Sequence, residues 1–214
     1  MRKNIKTVIC GLLTMIFCLT CLAACGGNQE EKQEGKSVKI PTYDENGNYT
    51  GFSDIGEDSE LETAAAHGCY VVDGNKLYSG MEAWENFVAQ AEAGNDAYLR
   101  VVHIIYPWQI EMDSTGDVPT FYYDDLYYYE GKYYFFCYNG ADDIRDSGPF
   151  TYLRALVGVS GNPAKERTTY VLTDSLDLTY DDVEWSFLSS NLESITKIRF
   201  QWLGFAIYMR EEFQ

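Results

Sequence analysis

Phe121-Tyr122-Tyr123-Asp124-Asp125-Leu126-Tyr127-Tyr128-Tyr129, a Glu130-Gly131-Lys132 turn, and Tyr133-Tyr134-Phe135-Phe136-Cys137-Tyr138 read as the two arms of one hairpin. Eleven of the 33 aromatic residues of the chain (11 Phe, 18 Tyr, 4 Trp) fall in these eighteen positions. Aromatic side chains suit a pleated, half-buried surface. Successive side chains on a strand point to opposite faces, so Tyr127 and Tyr129 face one way and Tyr128 the other. A single core absorbs one such face directly. The second face then lies under a helix, or it is a ligand platform in which Tyr127, Tyr129 and Tyr133, with Asp125 accepting hydrogen bonds, stack on a sugar ring or gather an extended peptide.

Upstream, residues 97–106 place Tyr98, Val102, Ile104 and Tyr106 on one face and Leu99, Val101, His103 and Ile105 on the other. Apolarity on both faces marks a central strand. His103 is then a buried, hydrogen-bonded residue before it is a catalyst. Earlier still, Asp73-Gly74-Asn75 separates two short arms as a hairpin turn. Ser79, with Glu82 three residues on, has the pattern of a capping box, and Met81, Trp84, Phe87, Val88 and Ala91 recur at helical spacing until Gly94.

Downstream, residues 139–148 read as an acidic loop holding Asp142, Asp143 and Asp146, a solvated charge run with a weak cation site as the sharper alternative. A further hairpin turns around Ser160-Gly161-Asn162-Pro163. Thr179 opens a second helix, with Asp181, Asp182 and Glu184 in its first turn and Val183, Phe187 and Leu188 facing inward. The last strand starts at Ile198, and its apolar phase reverses at Gly204, as a bulge or burial on both faces would produce. The expected fold is α+β: one domain over residues 64–214, with a mainly antiparallel sheet of several strands packed by two helices. Residues 40–63 form a loose hairpin or linker around Asn46-Gly47. An EF-hand loop is excluded there, because Tyr49 stands where that loop needs glycine.

The amino terminus has another logic. A basic start (Arg2, Lys3, Lys6), an apolar run and Leu22-Ala23-Ala24-Cys25 make residues 1–24 a signal peptide. The ending resembles the bacterial lipoprotein box, which implies a diacylglyceryl thioether on Cys25, palmitate-type acylation, and cleavage that leaves Cys25 first. Residues 25–39 are then a lipidated, solvated tether, and the protein sits on the extracytoplasmic face of the cell membrane, held by lipid.

The chain has 33 acidic and 16 basic residues, a net charge of −17. Loss of the leader removes three of the basic residues and no acidic ones, leaving 33 against 13, or −20. A body this acidic repels phosphate backbones, so nucleic acid is excluded as a partner. A basic envelope protein is a natural one, with this chain acting as its acidic inhibitor or partner.

Of six cysteines, only Cys69 and Cys137 lie beyond the anchor. Outside the membrane they form either a disulfide or two buried thiols. With His67 and His103 they have the composition of a zinc site, but no compact ligand pair is present, and no metal is expected. No Gly-x-Ser-x-Gly elbow, P-loop or dinucleotide fingerprint occurs. Asp124 and Asp125 cannot converge as paired carboxylates, because neighbours on a strand point apart.

The motifs His67-Gly68-Cys69-Tyr70-Val71-Val72, Ser79-Gly80 with Trp84 and Phe87, Leu99-Arg100-Val101-Val102, Tyr170-Val171-Leu172, and Thr179-Tyr180-Asp181-Asp182-Val183-Glu184-Trp185-Ser186-Phe187-Leu188-Ser189-Ser190 resemble a family of small lipoproteins and secreted proteins of low-GC Gram-positive bacteria. The similarity runs from about residue 64 to the end. It implies cell-surface location and a single α+β domain, and it carries over no catalytic residue. The expectation is a lipid-anchored, non-catalytic module without a cofactor, binding a wall glycan, a peptide or an envelope protein. The alternative is a thiol-dependent enzyme or redox accessory that uses Cys69 or Cys137.

Overall fold

The computed structural model describes residues 38–74, 76–107, 118–138, 144–189 and 196–205. The leader, Cys25 and most of the tether lie outside them, as do Asp142 and Asp143. The expected central strand is present as β3 (Ala97–Ile105), between β1 (Tyr70–Asp73) and β4 (Thr120–Tyr129). β1 pairs with β2 (Lys76–Ser79) as a hairpin, and β4 pairs with β5 (Lys132–Tyr138) through the Glu130-Gly131 turn. With β6 (Ile144–Phe150) these strands form a six-stranded sheet in the order β2-β1-β3-β4-β5-β6, in which only β1 and β3 run parallel. The fold class is α+β, mainly antiparallel, with no closed barrel among the described residues.

Three expectations need correction. The expected single sheet is two, because β7 (Tyr152–Ser160), β8 (Lys165–Thr173) and β9 (Phe200–Trp202) make a separate three-stranded sheet. Asp146 lies on strand β6, not in a loop; backbone pairing with Phe136 carries the sheet through this part of the acidic stretch. Helix content also exceeds the expected two, since a 3-10 helix (Gly51–Glu57) and α1 (Leu61–Ala66) precede α2 (Met81–Glu92) and α3 (Tyr180–Leu188). The two added helices are short and weakly periodic. They form where Phe52, Ile55, Leu61 and Ala64 meet the sheet, so packing and not propensity decides them.

Helix α2 buries Trp84, Phe87 and Ala91, as the helical spacing requires. Its N-cap is Gly80 and not Ser79. At φ +95°, a Cβ on Gly80 would lie 2.4 Å from the Cys69 carbonyl oxygen, so only glycine lets the helix start so close to β1. The Thr179 cap of α3 is formed: its hydroxyl accepts from the Asp182 N–H, while the Asp182 carboxylate accepts from the Thr179 N–H.

Three apolar clusters result among the described residues. One face of the large sheet (Leu99, Val101, Leu126, Phe135) packs with α2 and with Leu172, Leu203 and Phe205 of the second sheet and the turn beyond it. The opposite face (Val102, Ile104, Tyr127, Phe136) is covered by Tyr49, Phe52 and Ala64. Residues 39–66 thus form a strap across the second aromatic face. The third cluster lies between the small sheet and α3, around Leu156, Val171 and Val183. Phe200 and Trp202 belong to this third cluster and Leu203 and Phe205 to the first, which accounts for the apolar reversal near Gly204.

Candidate functional site

Strand alternation puts Arg100 and Asp125 directly opposite each other on the strap side of the sheet. Both are buried, with Asp125 fully enclosed. The pair is bidentate: Arg100 Nε donates to Asp125 Oδ1 at 2.8 Å and Nη2 to Oδ2 at 2.9 Å. Arg100 Nη1 donates to Asp54 at 2.6 Å and Asp58 at 3.1 Å, and Nη2 also donates to the Gly51 carbonyl at 2.8 Å. All five guanidinium N–H groups are therefore used. Asp125 further accepts from the Tyr49 hydroxyl at 2.6 Å and the Tyr98 hydroxyl at 2.8 Å. Since the Tyr49 proton goes to Asp125, Tyr127 donates to Tyr49 at 2.6 Å.

The network continues to the surface. Lys39 donates to Asp54 at 2.9 Å, and His67 Nδ1 lies 2.6 Å from Asp58 Oδ1. Burial opposes the charge on Arg100, but Asp125 outweighs it and the guanidinium is held more strongly protonated than usual. Burial also raises Asp54, yet the Lys39 and Arg100 hydrogen bonds win and bring it below its ordinary value. Burial, reinforced by the charge of Asp125, pushes the Tyr49, Tyr98 and Tyr127 phenols far up, so all three stay neutral donors.

This arrangement decides the position of the proposed tyrosine platform. Tyr127 and Asp125 have no exposed surface, and Tyr133 is 8% exposed. Tyr133 also points to the other face, among the residues packed by α2. Only Tyr129, at the hairpin end, is half-exposed. The face expected to receive a ligand instead receives the strap. Tyr49 stacks on Phe136 at 3.7 Å with an interplanar angle of 6°, and its hydroxyl occupies Asp125.

The possible disulfide is corrected as well. Cys69 packs on the strap face and Cys137 on the α2 face, with β3 and β4 between β1 and β5. Neighbouring strands are about 4.8 Å apart, so the thiols are too distant to bridge, and they are not joined. Burial, with Asp58 adding to it, pushes the Cys69 thiol up to about 12, well away from a nucleophile. Cys137 faces Asp124 across the β4–β5 pair, and Asp124 Oδ2 lies 2.9 Å from His103 Nε2. A carboxylate thus stands between this thiol and the one histidine on its face. Among the described residues, no group of three or more His, Cys, Asp or Glu side chains is placed to hold a metal.

A shallow groove of about 560 Å³ runs between the end of α1, β2 and the start of α2, lined by Cys69, Leu77, Ser79, Gly80 and Glu82. The Ser79 hydroxyl there is buried with no hydrogen-bond partner. The remaining conspicuous surface is on α3. Phe187 and Leu188, expected to face inward, are 56% and 74% exposed, and Trp185 is 59% exposed. Val183 is buried as expected and Tyr180 is buried with it, while Phe187 keeps one edge against the Trp202 ring. No helix among the described residues is long and apolar enough to cross a membrane. Comparison with protein-family models, curated proteins and solved structures finds no match for this chain.

Proposed function

We infer that this chain is a lipid-anchored extracytoplasmic protein that works as a non-catalytic binding module at the cell envelope. One observation carries the binding half of the reading: the side chains best suited to chemistry are consumed in internal pairing, while large apolar side chains are left outside. Arg100, Asp125, Asp58 and Tyr49 saturate one another, and His103 is engaged by Asp124. Trp185, Phe187 and Leu188 face solvent on one short helix. Of the ligands expected from sequence, an envelope protein suits such a surface better than a wall glycan, since the tyrosine platform that would stack on sugar is occupied by the strap.

The anchoring half rests on the leader and on Cys25. Cells grown with an alkyne analogue of palmitate should label the wild-type chain and recover it with membranes. Cys25→Ala should lose the label and leave the membrane fraction. Equal labelling and fractionation of the two chains would refute the anchor.

A further inference from the structure

From Asp174 to Ser189 the chain carries five carboxylates (Asp174, Asp177, Asp181, Asp182 and Glu184) and no lysine or arginine. In the same stretch Leu176, Trp185, Phe187 and Leu188 are each more than half exposed. Positions i, i+3, i+4 and i+7 share one face of a helix. Asp181, Glu184, Trp185 and Leu188 therefore form a single stripe on α3, acidic toward its start and apolar toward its end. The rest of the helix is used by the fold: Tyr180 and Val183 are buried, Asp182 closes the cap, and the Phe187 ring lies 4.9 Å from Trp202.

Among the described residues, the two arginines bonded to this stretch hold its start and not the stripe. Arg199 pairs with Asp174 at 2.7 Å, and Arg154 donates to the Leu176 and Leu178 carbonyls at 2.8 and 2.7 Å. Asp181 and Glu184 thus flank the apolar end of the stripe on its N-terminal side, with no ion-pair partner among the described residues. We propose that this stripe docks a basic amphipathic segment of an envelope protein, one that sets aliphatic or aromatic side chains between lysines or arginines. The proposal rests on the binding-module reading and names the surface and the partner's chemistry. Trp185 and Leu188 supply the contact that water exclusion strengthens, and the carboxylates steer and select the partner. An anionic bilayer would gain the same apolar contact but would be repelled by the carboxylates.

The test uses the mature chain, residues 25–214 with Cys25→Ala so that no acyl chain competes, and a fluorescent peptide of leucine and lysine at helical spacing. Saturable binding is expected, weakened about ten-fold or more by Trp185→Ser with Leu188→Ser. Asp181→Asn with Glu184→Gln should weaken it several-fold and flatten its salt dependence. Both pairs are on the outer face, and circular dichroism checks that each variant is folded. Val157→Ser with Val159→Ser, exposed apolar positions on β7, should change nothing. Binding untouched by both α3 pairs, or equally reduced by the β7 pair, overturns the proposal. So does Trp185-dependent partition into phosphatidylglycerol vesicles that is tighter than peptide binding. A partner captured from intact cells equally well by the wild-type chain and the Trp185→Ser/Leu188→Ser chain removes α3 as the docking surface while leaving the binding role in place; the absence of any partner removes both.

Discussion

Arg100 is the residue on which the described structure depends most. A guanidinium at 4% exposure is stable only because five acceptors surround it, and removing one member of a buried pair strands the others in a poorly solvating interior. Arg100→Met should therefore cost about 3–5 kcal/mol, read as a lowered urea midpoint. Asp125→Leu added to it should recover part of that loss, since Asp125 then no longer sits uncompensated. Single-variant losses below about 1 kcal/mol would mean that the charges are solvated and the network is not as described. The thiols give a second residue-scale expectation. With Cys69 held up to about 12 by burial, the folded residues 26–214 should titrate with no more than one rapid equivalent of a thiol reagent, from Cys137, and with two after denaturation without reductant. Fast alkylation of Cys69 in the folded protein would contradict its burial.

At the scale of elements, the strap is the part that sequence left vague. Its first contact is a turn in which the Asp44 carboxylate accepts from the Asn46 and Asn48 backbone N–H groups. Its main hold is charge: Arg100 and Lys39 grip Asp54, and Arg100 grips the Gly51 carbonyl. Because Asp54 titrates below its ordinary 3.8 when folded, the sign of its linkage is fixed. Its contribution is complete above that value and is lost as pH falls through the lower, folded value. Asp54 is 41% exposed in its side chain, so solvent screening limits the effect to under about 1 kcal/mol. Hydrogen exchange of the Tyr49 and Phe52 amides should accelerate beyond the intrinsic change as pH falls below about 4, and Asp54→Asn should flatten that acid limb. An identical acid limb in the variant would show that Asp54 does not hold the strap.

The same scale shows what was legible. Turn glycines, the Thr179 cap and the two-sided apolarity of β3 are local signals, and each maps onto an observed element. The strap helices were not legible, because a six-residue helix has no periodicity to read and exists only through contacts with strands far along the chain. The Arg100–Asp125 pair did leave a trace. An arginine inside Tyr98-Leu99-Arg100-Val101-Val102 and an aspartate inside an aromatic strand each demand a buried partner, and placing them opposite one another gives the observed register. The exposed side of α3 left none: Val183, Phe187 and Leu188 share an apolar arc, and only the position of the small sheet decides which of them is covered.

At the scale of the whole molecule, the −20 balance that loss of the proposed leader would leave and the proposed anchor point the same way. A strongly acidic body gains nothing from an anionic membrane surface, so the proposed acyl chains on Cys25 would have to supply the attachment, and affinity is to be sought in partners that carry positive charge. The fold keeps its chemistry-bearing residues internal and presents an apolar helix with an acidic flank. The central claim is that this helix holds a protein partner at the envelope. Capture of the full chain from the cells that make it, at low and at high salt, tests that claim directly. The wild-type chain should retain a basic partner at low salt and lose it at high salt, while the Trp185→Ser/Leu188→Ser chain, equally abundant and equally membrane-bound, should retain none. The same partner on both chains, or none on either, would contradict it.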